Sequence, residues 1–197
     1  TPIQLSLDSI RDKFKNQITS NSDQFDQHIL LINQQIKEIS SLLNSFSDFA
    51  RMPDPIFEKI NIIDVIENSI NPYKSNYQNI NFELHNGIPD PIIKCDSNQI
   101  YRLFTNMIKN SVESIMEKNN DLKNGLISIK INEDDLFFNF ELIDNGVGFP
   151  VKNINNSIEP YFTTKTNGSG LGLSIVSKII HEHEGHIKFT NHEIGGA

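Results

Sequence analysis

"GSGLGLSIV", residues 168–176, places three glycines in five positions and then turns apolar. The run "LGLSIVSKIIHEH" that it opens has the apolar spacing of a helix. Glycine is the costliest residue to order, so a helix that starts on Gly168, Gly170 and Gly172 needs a physical reason. Free backbone N–H groups at a helix start, beside glycines that allow close approach, suit a phosphate group. The spacing is not G-x-G-x-x-G, the segment follows a polar loop rather than a strand, and no G-x-x-x-x-G-K-[ST] run exists. A glycine-rich turn taken alone is more often a mere connection. Its companions decide.

Two other stretches join it. "LISIKIN" and "LFFNFELI" alternate apolar and polar around "EDD" and predict a β-hairpin. Asp144 ends that hairpin and is followed by Gly146 and Gly148 in "DNGVGFP". A carboxylate there can accept a hydrogen bond from an exocyclic amine while the glycines let a flat base lie against the backbone. Upstream, Asp96 with Gln99 three residues later predicts a capped helix running to about Lys118. Asn106 and Asn110 fall at i and i+4 on it, among Phe104, Met107 and Ile108. Such a pair is usually solvated surface, but Asn110 offers the neutral oxygen that Mg²⁺ accepts beside water and phosphate oxygens. Around these lie a predicted helix at 61–70 and predicted strands at 79–84, 91–95 and 186–190. Their order predicts an α/β sandwich, one sheet with helices on one face.

The N-terminal quarter reads differently. Ile29, Ile32, Ile36, Ile39, Leu43 and Phe46 step by three and four, the seam of a long packed helix. Ile3, Leu7, Ile10, Phe14 and Ile18 form a second stripe, and residues 16–24 hold the turn of a helical hairpin. Each large side chain left wet forgoes roughly 1.5–3 kcal/mol, so the pattern predicts a four-helix bundle made by two chains. Pro53 and Pro55 stop the second helix. The expected organisation is therefore α+β: a dimerisation hairpin at 1–52, a linker at 53–60 and a second domain at 61–197. With 17 basic and 25 acidic side chains the net charge is −8, which argues against nucleic acid or an anionic membrane surface as main partner. The lone Cys95 leaves no intrachain disulfide, so a reducing, cytoplasmic setting is expected. No apolar stretch is long enough to span a bilayer, and no signal peptide opens the sequence.

Asn106–Asn110, "DNGVGFP", "EPYFTTK" and "GSGLGLSIV" resemble, in order, the N, G1, F and G2 boxes of sensor histidine kinases. Those enzymes have the GHKL (Bergerat) ATP-binding fold shared with gyrase, Hsp90 and MutL. "FSDFARMPDP" and the opening "TPIQLS" resemble more narrowly the NtrY-type nitrogen-regulation kinases. The resemblance implies ATP and Mg²⁺ as cofactors. It gives Asp144 the adenine amine, with Gly146 and Gly148 shaping the pocket. It makes Asn110 the Mg²⁺ ligand, lines the same site with Asn106, and matches Glu113 to the acid of the related "NAxEA" pattern. Phe162 becomes the aromatic of the ATP lid beside Thr163, Thr164 and Lys165, with Lys165 and Lys109 as phosphate contacts. Gly168, Ser169, Gly170, Leu171 and Gly172 form the lid's end and the helix entrance. Ser111 and Ser114 stand where the kinases usually have alanines, small enough to do little harm.

Hydrolysis in this fold needs a base, and gyrase-like members place a Glu where this chain has Asn106. An amide cannot take a proton, which favours phosphoryl transfer to a protein over an ATPase. The alternatives are a GHKL-fold ATPase and a non-catalytic dimeric interaction module. In the family the accepting H-E-x-x-N-P-L motif runs directly into the position of Thr1, so the hairpin is expected to be cut just after it and the last strand to be missing beyond Ala197. The partners implied are a second copy and a response-regulator receiver domain, with an inner-membrane anchor only in segments upstream. His28 reads as a solvated or bundle-edge histidine. "HEHEGH" (His181, His183, His186) reads as a helix-to-strand turn rather than a metal site, since His181 and His183 point to nearly opposite sides of a helix.

Overall fold

A computed structural model describes residues 2–15, 17–18, 20–118, 124–150, 162–163, 170–192 and 196–197. Among them, those up to Met52 form one compact unit and those from Pro53 onward a second.

The first unit is a helical hairpin, α1 (Pro2–Phe14) against α2 (Ser22–Ala50). Asn21 starts α2 from the left-handed region (φ 65°), which asparagine tolerates better than most residues. Ile18, expected on the first stripe, lies beyond the end of α1. At about 1.5 Å per residue, the 13 residues of α1 can cover less than half of the 29 of α2. Burial follows from that mismatch. Leu7 and Ile29 are buried, whereas Leu5, Leu30, Ile39 and Leu43 are 58–72% exposed. Arg51 N–H closes α2 on the Ser47 carbonyl at 2.9 Å, and Pro53 follows.

The second unit runs β1 (Glu58–Asn61), α3 (Ile62–Asn76), β2 (Ile80–Asn86), β3 (Ile92–Cys95), α4 (Ser97–Lys118), β4 (Gly125–Glu133), β5 (Phe138–Asp144) and α5 (Gly172–Glu182). The strands make two ladders, not the single sheet expected. β1 was not expected at all, and by pairing antiparallel with β3 it takes that strand out of the main sheet. The main sheet is β2-β4-β5, with β2 parallel to β4 and β5 antiparallel to it. Residues 186–190, predicted as a final strand, exchange no ladder bonds with any described neighbour. An alternating pattern becomes a strand only where a partner meets its backbone.

The core forms where the sheet face meets three helices. Ile127, Ile129 and Ile131 alternate inward from β4, and Ile62, Ile66, Ile70, Phe104, Ile108, Val112, Ile115 and Ile179 close over them, all at most 2% exposed. At the hairpin tip, Asp134 Oδ1 accepts the Leu136 and Phe137 N–H groups, both at 2.9 Å, and these bonds hold its carboxyl below the usual range. Burial pushes the Cys95 thiol up to about 11, so it is an inert packing group.

α4 starts where the sequence places it. Buried Asp96 accepts the Gln99 N–H on Oδ1 (2.9 Å) and the Ile56 N–H on Oδ2 (2.8 Å). Its own N–H donates to His183 Nε2 at 3.1 Å, and His183 Nδ1–H donates in turn to the Ile179 carbonyl (2.8 Å). Gln99 Nε2 holds the Pro53 carbonyl at 3.0 Å. One aspartate thus ties residues 53–56, the start of α4 and the end of α5. Asp96→Ala removes a cap and a tether together, and the expected loss is about 2 kcal/mol, read as a lowered thermal midpoint. A melt within one degree of wild type would contradict this.

Candidate functional site

α4 is the platform. Asn106 Nδ2 donates to the Arg102 carbonyl one turn back at 2.7 Å, which turns its Oδ1 toward the start of α5. There a methyl added to Gly172 would lie 3.4 Å from Asn106 Oδ1 and 3.7 and 3.8 Å from the Asn110 amide atoms. The first residue of α5 therefore sits over both asparagines with no side chain between. Leu171, fully buried, fixes that entrance. Its carbonyl accepts the Ile175 N–H and the Ser174 hydroxyl, each at 2.9 Å. Also on α4, Lys109 and Glu113 form a partly exposed pair at 3.9 Å, worth at most about 1 kcal/mol and easily rearranged.

The loop after β5 is pinned to the same helix. Asp144 is buried at the strand's end, its Oδ1 accepting the Gly146 N–H at 2.9 Å. Gly146 lies so close to α4 that a Cβ would meet Ser114 Oγ, with the Ser114 carbonyl carbon at 2.6 Å. The Val147 N–H then donates to Ser114 Oγ at 3.0 Å. Asn145 ties the loop to β4, its Oδ1 accepting the Leu126 N–H (2.8 Å) and its Nδ2 donating to the Asn124 carbonyl (2.7 Å). Lys118 Nζ holds the Asn145 carbonyl at 2.7 Å.

Asn106, Asn110 and Ser114 stand at i, i+4 and i+8, one face of α4. That face meets α5 at its upper end and the Asp144 loop at its lower end, so motifs from three parts of the sequence are brought together. Ser114, expected only to be small, is an acceptor and a spacer. Its position one turn beyond Asn110 was the signal that could have marked it. Asn145 was also missed. Phe162 is half-buried, Thr163 is exposed, and Gly170 precedes α5. Thr164, Lys165, Gly168 and Ser169 lie outside the described residues.

The histidines go elsewhere. His28 Nδ1 bonds the Gln24 carbonyl of its own helix at 2.6 Å, and the His186 ring packs on Phe137 at 5.8 Å. Among the described residues no group of three His, Cys, Asp or Glu side chains is placed to hold a metal. No helix of the described residues is long and apolar enough to cross a membrane.

Residues 95–197 match the family described as "Histidine kinase-, DNA gyrase B-, and HSP90-like ATPase". The chain belongs to that family. The match starts at Cys95 and so takes in α4, the Asp144 loop and α5, the three pieces of the site. Full-length similarity extends further. The chain is 34% identical over all of its 197 residues to an NtrY-like sensor histidine kinase of Rickettsia bellii, and 32% identical over 97% of its length to the nitrogen regulation protein NtrY of Azorhizobium caulinodans. It spans only 32% and 25% of those proteins. Among solved structures, a nucleotide-free catalytic domain of histidine kinase ThkA aligns with TM-score 0.64 at 28% identity, covering 72% of this chain and 91% of that one. ThkA in complex with response regulator protein TrrA aligns over 100% of this chain and 55% of that one, with TM-score 0.71 at 19% identity, a likeness of fold. The fold class is thus the α+β arrangement of hairpin and GHKL ATP-binding domain.

The Ser114 contact carries a test. Ser114→Val adds a methyl where Gly146 leaves no room and removes the nearer of the two acceptors of the Val147 N–H, leaving the Ser114 carbonyl at 3.3 Å. The expected loss in urea unfolding is about 1–3 kcal/mol, with Ser114→Ala closer to 1. Valine tolerated as well as alanine would contradict the close approach.

Proposed function

We propose that the chain is the ATP-binding and dimerisation core of a two-component sensor histidine kinase. In the parent protein the γ-phosphoryl group of ATP passes to a histidine and then to an aspartate of a response regulator. The observation that carries this reading is the single α4 face on which Asn106, Asn110 and the Ser114-held Asp144 loop converge opposite Gly172. In it, the Asp144 carboxylate accepts the adenine amine and the base lies along Gly146 and Gly148. The triphosphate runs toward the first-turn N–H groups of α5, where the helix end favours negative charge. Phe162, Thr163, Thr164 and Lys165 belong to the lid, with Gly168, Ser169 and Gly170 completing it, and Lys109 and Lys165 supply positive charge to the phosphates.

Mg²⁺ fits the donors present. Asn110 gives one neutral amide oxygen on a half-buried helix face, which suits an ion that keeps most of its shell as water and phosphate oxygens. When bound, the ion neutralises phosphate charge. Asn106 orients rather than deprotonates. Its amide is already spent on the Arg102 carbonyl and has no basic lone pair to activate water. Glu113 is the one carboxylate on α4 within a turn of Asn110, so it is the candidate for assisting proton transfer.

The exposed residues Ile3, Ile10 and Phe14 on one stripe and Ile32, Ile39, Leu43 and Phe46 on the other support a homodimer in which two hairpins close a four-helix bundle. The receiver domain of a response regulator is the second partner, by analogy with the ThkA–TrrA complex. The parent sits at the inner membrane with this part in the cytoplasm.

Phosphate release separates kinase from hydrolase. Incubated with Mg²⁺ and excess ATP, the chain should release less than one equivalent of phosphate per protomer over an hour, whereas Asn106→Glu should turn over repeatedly. Sustained multiple turnover by the wild type, abolished in Glu113→Gln, would establish the ATPase instead.

A further inference from the structure

The stretch from Phe189 to Ala197 is outside the four boxes, yet its described residues close on the loop that carries Asp144. The Asn191 side chain reaches across 42 positions to bind both backbone groups of Phe149. Phe149 N–H donates to Asn191 Oδ1 at 2.7 Å, and Asn191 Nδ2 donates to the Phe149 carbonyl at 2.7 Å. This side chain replaces the neighbouring strand that residue 149 lacks. The rings of Phe149 and Phe189 pack edge-on at 5.4 Å beside it. His192 N–H donates to the Gly196 carbonyl at 3.0 Å, turning the chain back, and Asp144 N–H donates to the Ala197 carbonyl at 2.7 Å.

Two glycines make the approach feasible. Gly148 has φ +73°, and a Cβ on it would lie 2.8 Å from the Gly196 carbonyl oxygen and 2.9 Å from Asn191 Oδ1. Gly196 has φ +91°, and its Cβ would meet the Asp144 carbonyl, with Asn145 Cα at 2.9 Å. Neither position accepts a side chain without displacing the other strand of this contact. The loop 145–149 is therefore framed on two sides. Ser114 and Lys118 of α4 hold its near end, and Asn191 with Gly196 holds its far end.

We infer that Asn191 is a positioning residue for base recognition: by clamping Phe149 it fixes the loop whose Gly146 N–H orients the Asp144 carboxylate toward the purine 6-position. This rests on Asp144 being the adenine contact. The effect of Asn191 on the exocyclic group passes through Asp144, whereas any loosening of Gly146 and Gly148 along the ring falls on every purine alike. Loosening the clamp lets residues 146–149 shift, the Gly146 N–H leaves Asp144 Oδ1, and the carboxylate loses its fixed direction. Phosphate contacts, made at α5 and the lid, are left in place.

ATP and ITP separate these contributions. ITP has the same ribose and triphosphate, but a carbonyl replaces the exocyclic amine and repels a carboxylate. Calorimetric titration of the 197-residue chain with each nucleotide and Mg²⁺ should show wild type preferring ATP by about tenfold or more, the value of one hydrogen bond to a charged group. Asn191→Ala should weaken ATP at least about threefold more than it weakens ITP, so that the preference shrinks. Asn191→Asp keeps the acceptor for Phe149 N–H but loses the donor, and should fall between; it carries the test if the alanine variant does not fold. ATP and ITP weakened by the same factor, or neither weakened, would overturn the inference while the adenine assignment stands. A wild type that binds both nucleotides equally would overturn the assignment and the inference with it.

Discussion

A glycine with no room for a methyl and a serine hydroxyl hold the loop after β5 against α4. The site rests on that contact. Gly146 and Ser114 set the distance between sheet end and helix, and the Val147 N–H on Ser114 Oγ fixes the loop's rotation. With the loop so placed, Asp144 faces the same side of α4 as Asn110 and Asn106. Gly172 then brings the start of α5 to the other end of that face. One helix face, from Asn106 to Ser114, thus gathers the two asparagines, the loop after Asp144 and the start of α5.

The two units solve different physical problems. The second has a closed core, with isoleucines from β4 under three helices. The hairpin has none, because α1 is too short to cover α2 and most of the seam stays wet. In the proposed dimer a second copy covers that seam. Within the second unit, Asp96 holds Ile56, caps α4 and, through His183, reaches the end of α5. The residues that follow the hairpin are thus tied to both helices that frame the site.

Much of this was legible in the sequence, and the reason is locality. The cap of α4, the β4–β5 hairpin and the entrance of α5 rest on residues a few positions apart, so spacing and turn chemistry reveal them. The four boxes were readable because each is a short contiguous run. What stayed hidden depends on distant partners. β1 is four residues long with no alternation, and only its pairing with β3 makes it a strand. Residues 186–190 alternate well and form no ladder, since no described backbone pairs with them. Ser114 acts through a loop 33 positions away and Asn191 through one 42 positions away. Ser114 closes the pattern that starts at Asn110, Asn191 belongs to no box, and neither has a side chain that announces its role.

The claim that the α4 face, the Asp144 loop and the start of α5 form one nucleotide site is tested most directly by calorimetric titration with a non-hydrolysable ATP analogue, with and without Mg²⁺, for wild type and Asp144→Ala. The account predicts saturable binding at one site per chain, strengthened by Mg²⁺ and lost in Asp144→Ala while the thermal midpoint stays near wild type. Failure of the wild type to bind, or undiminished binding by Asp144→Ala, would contradict it.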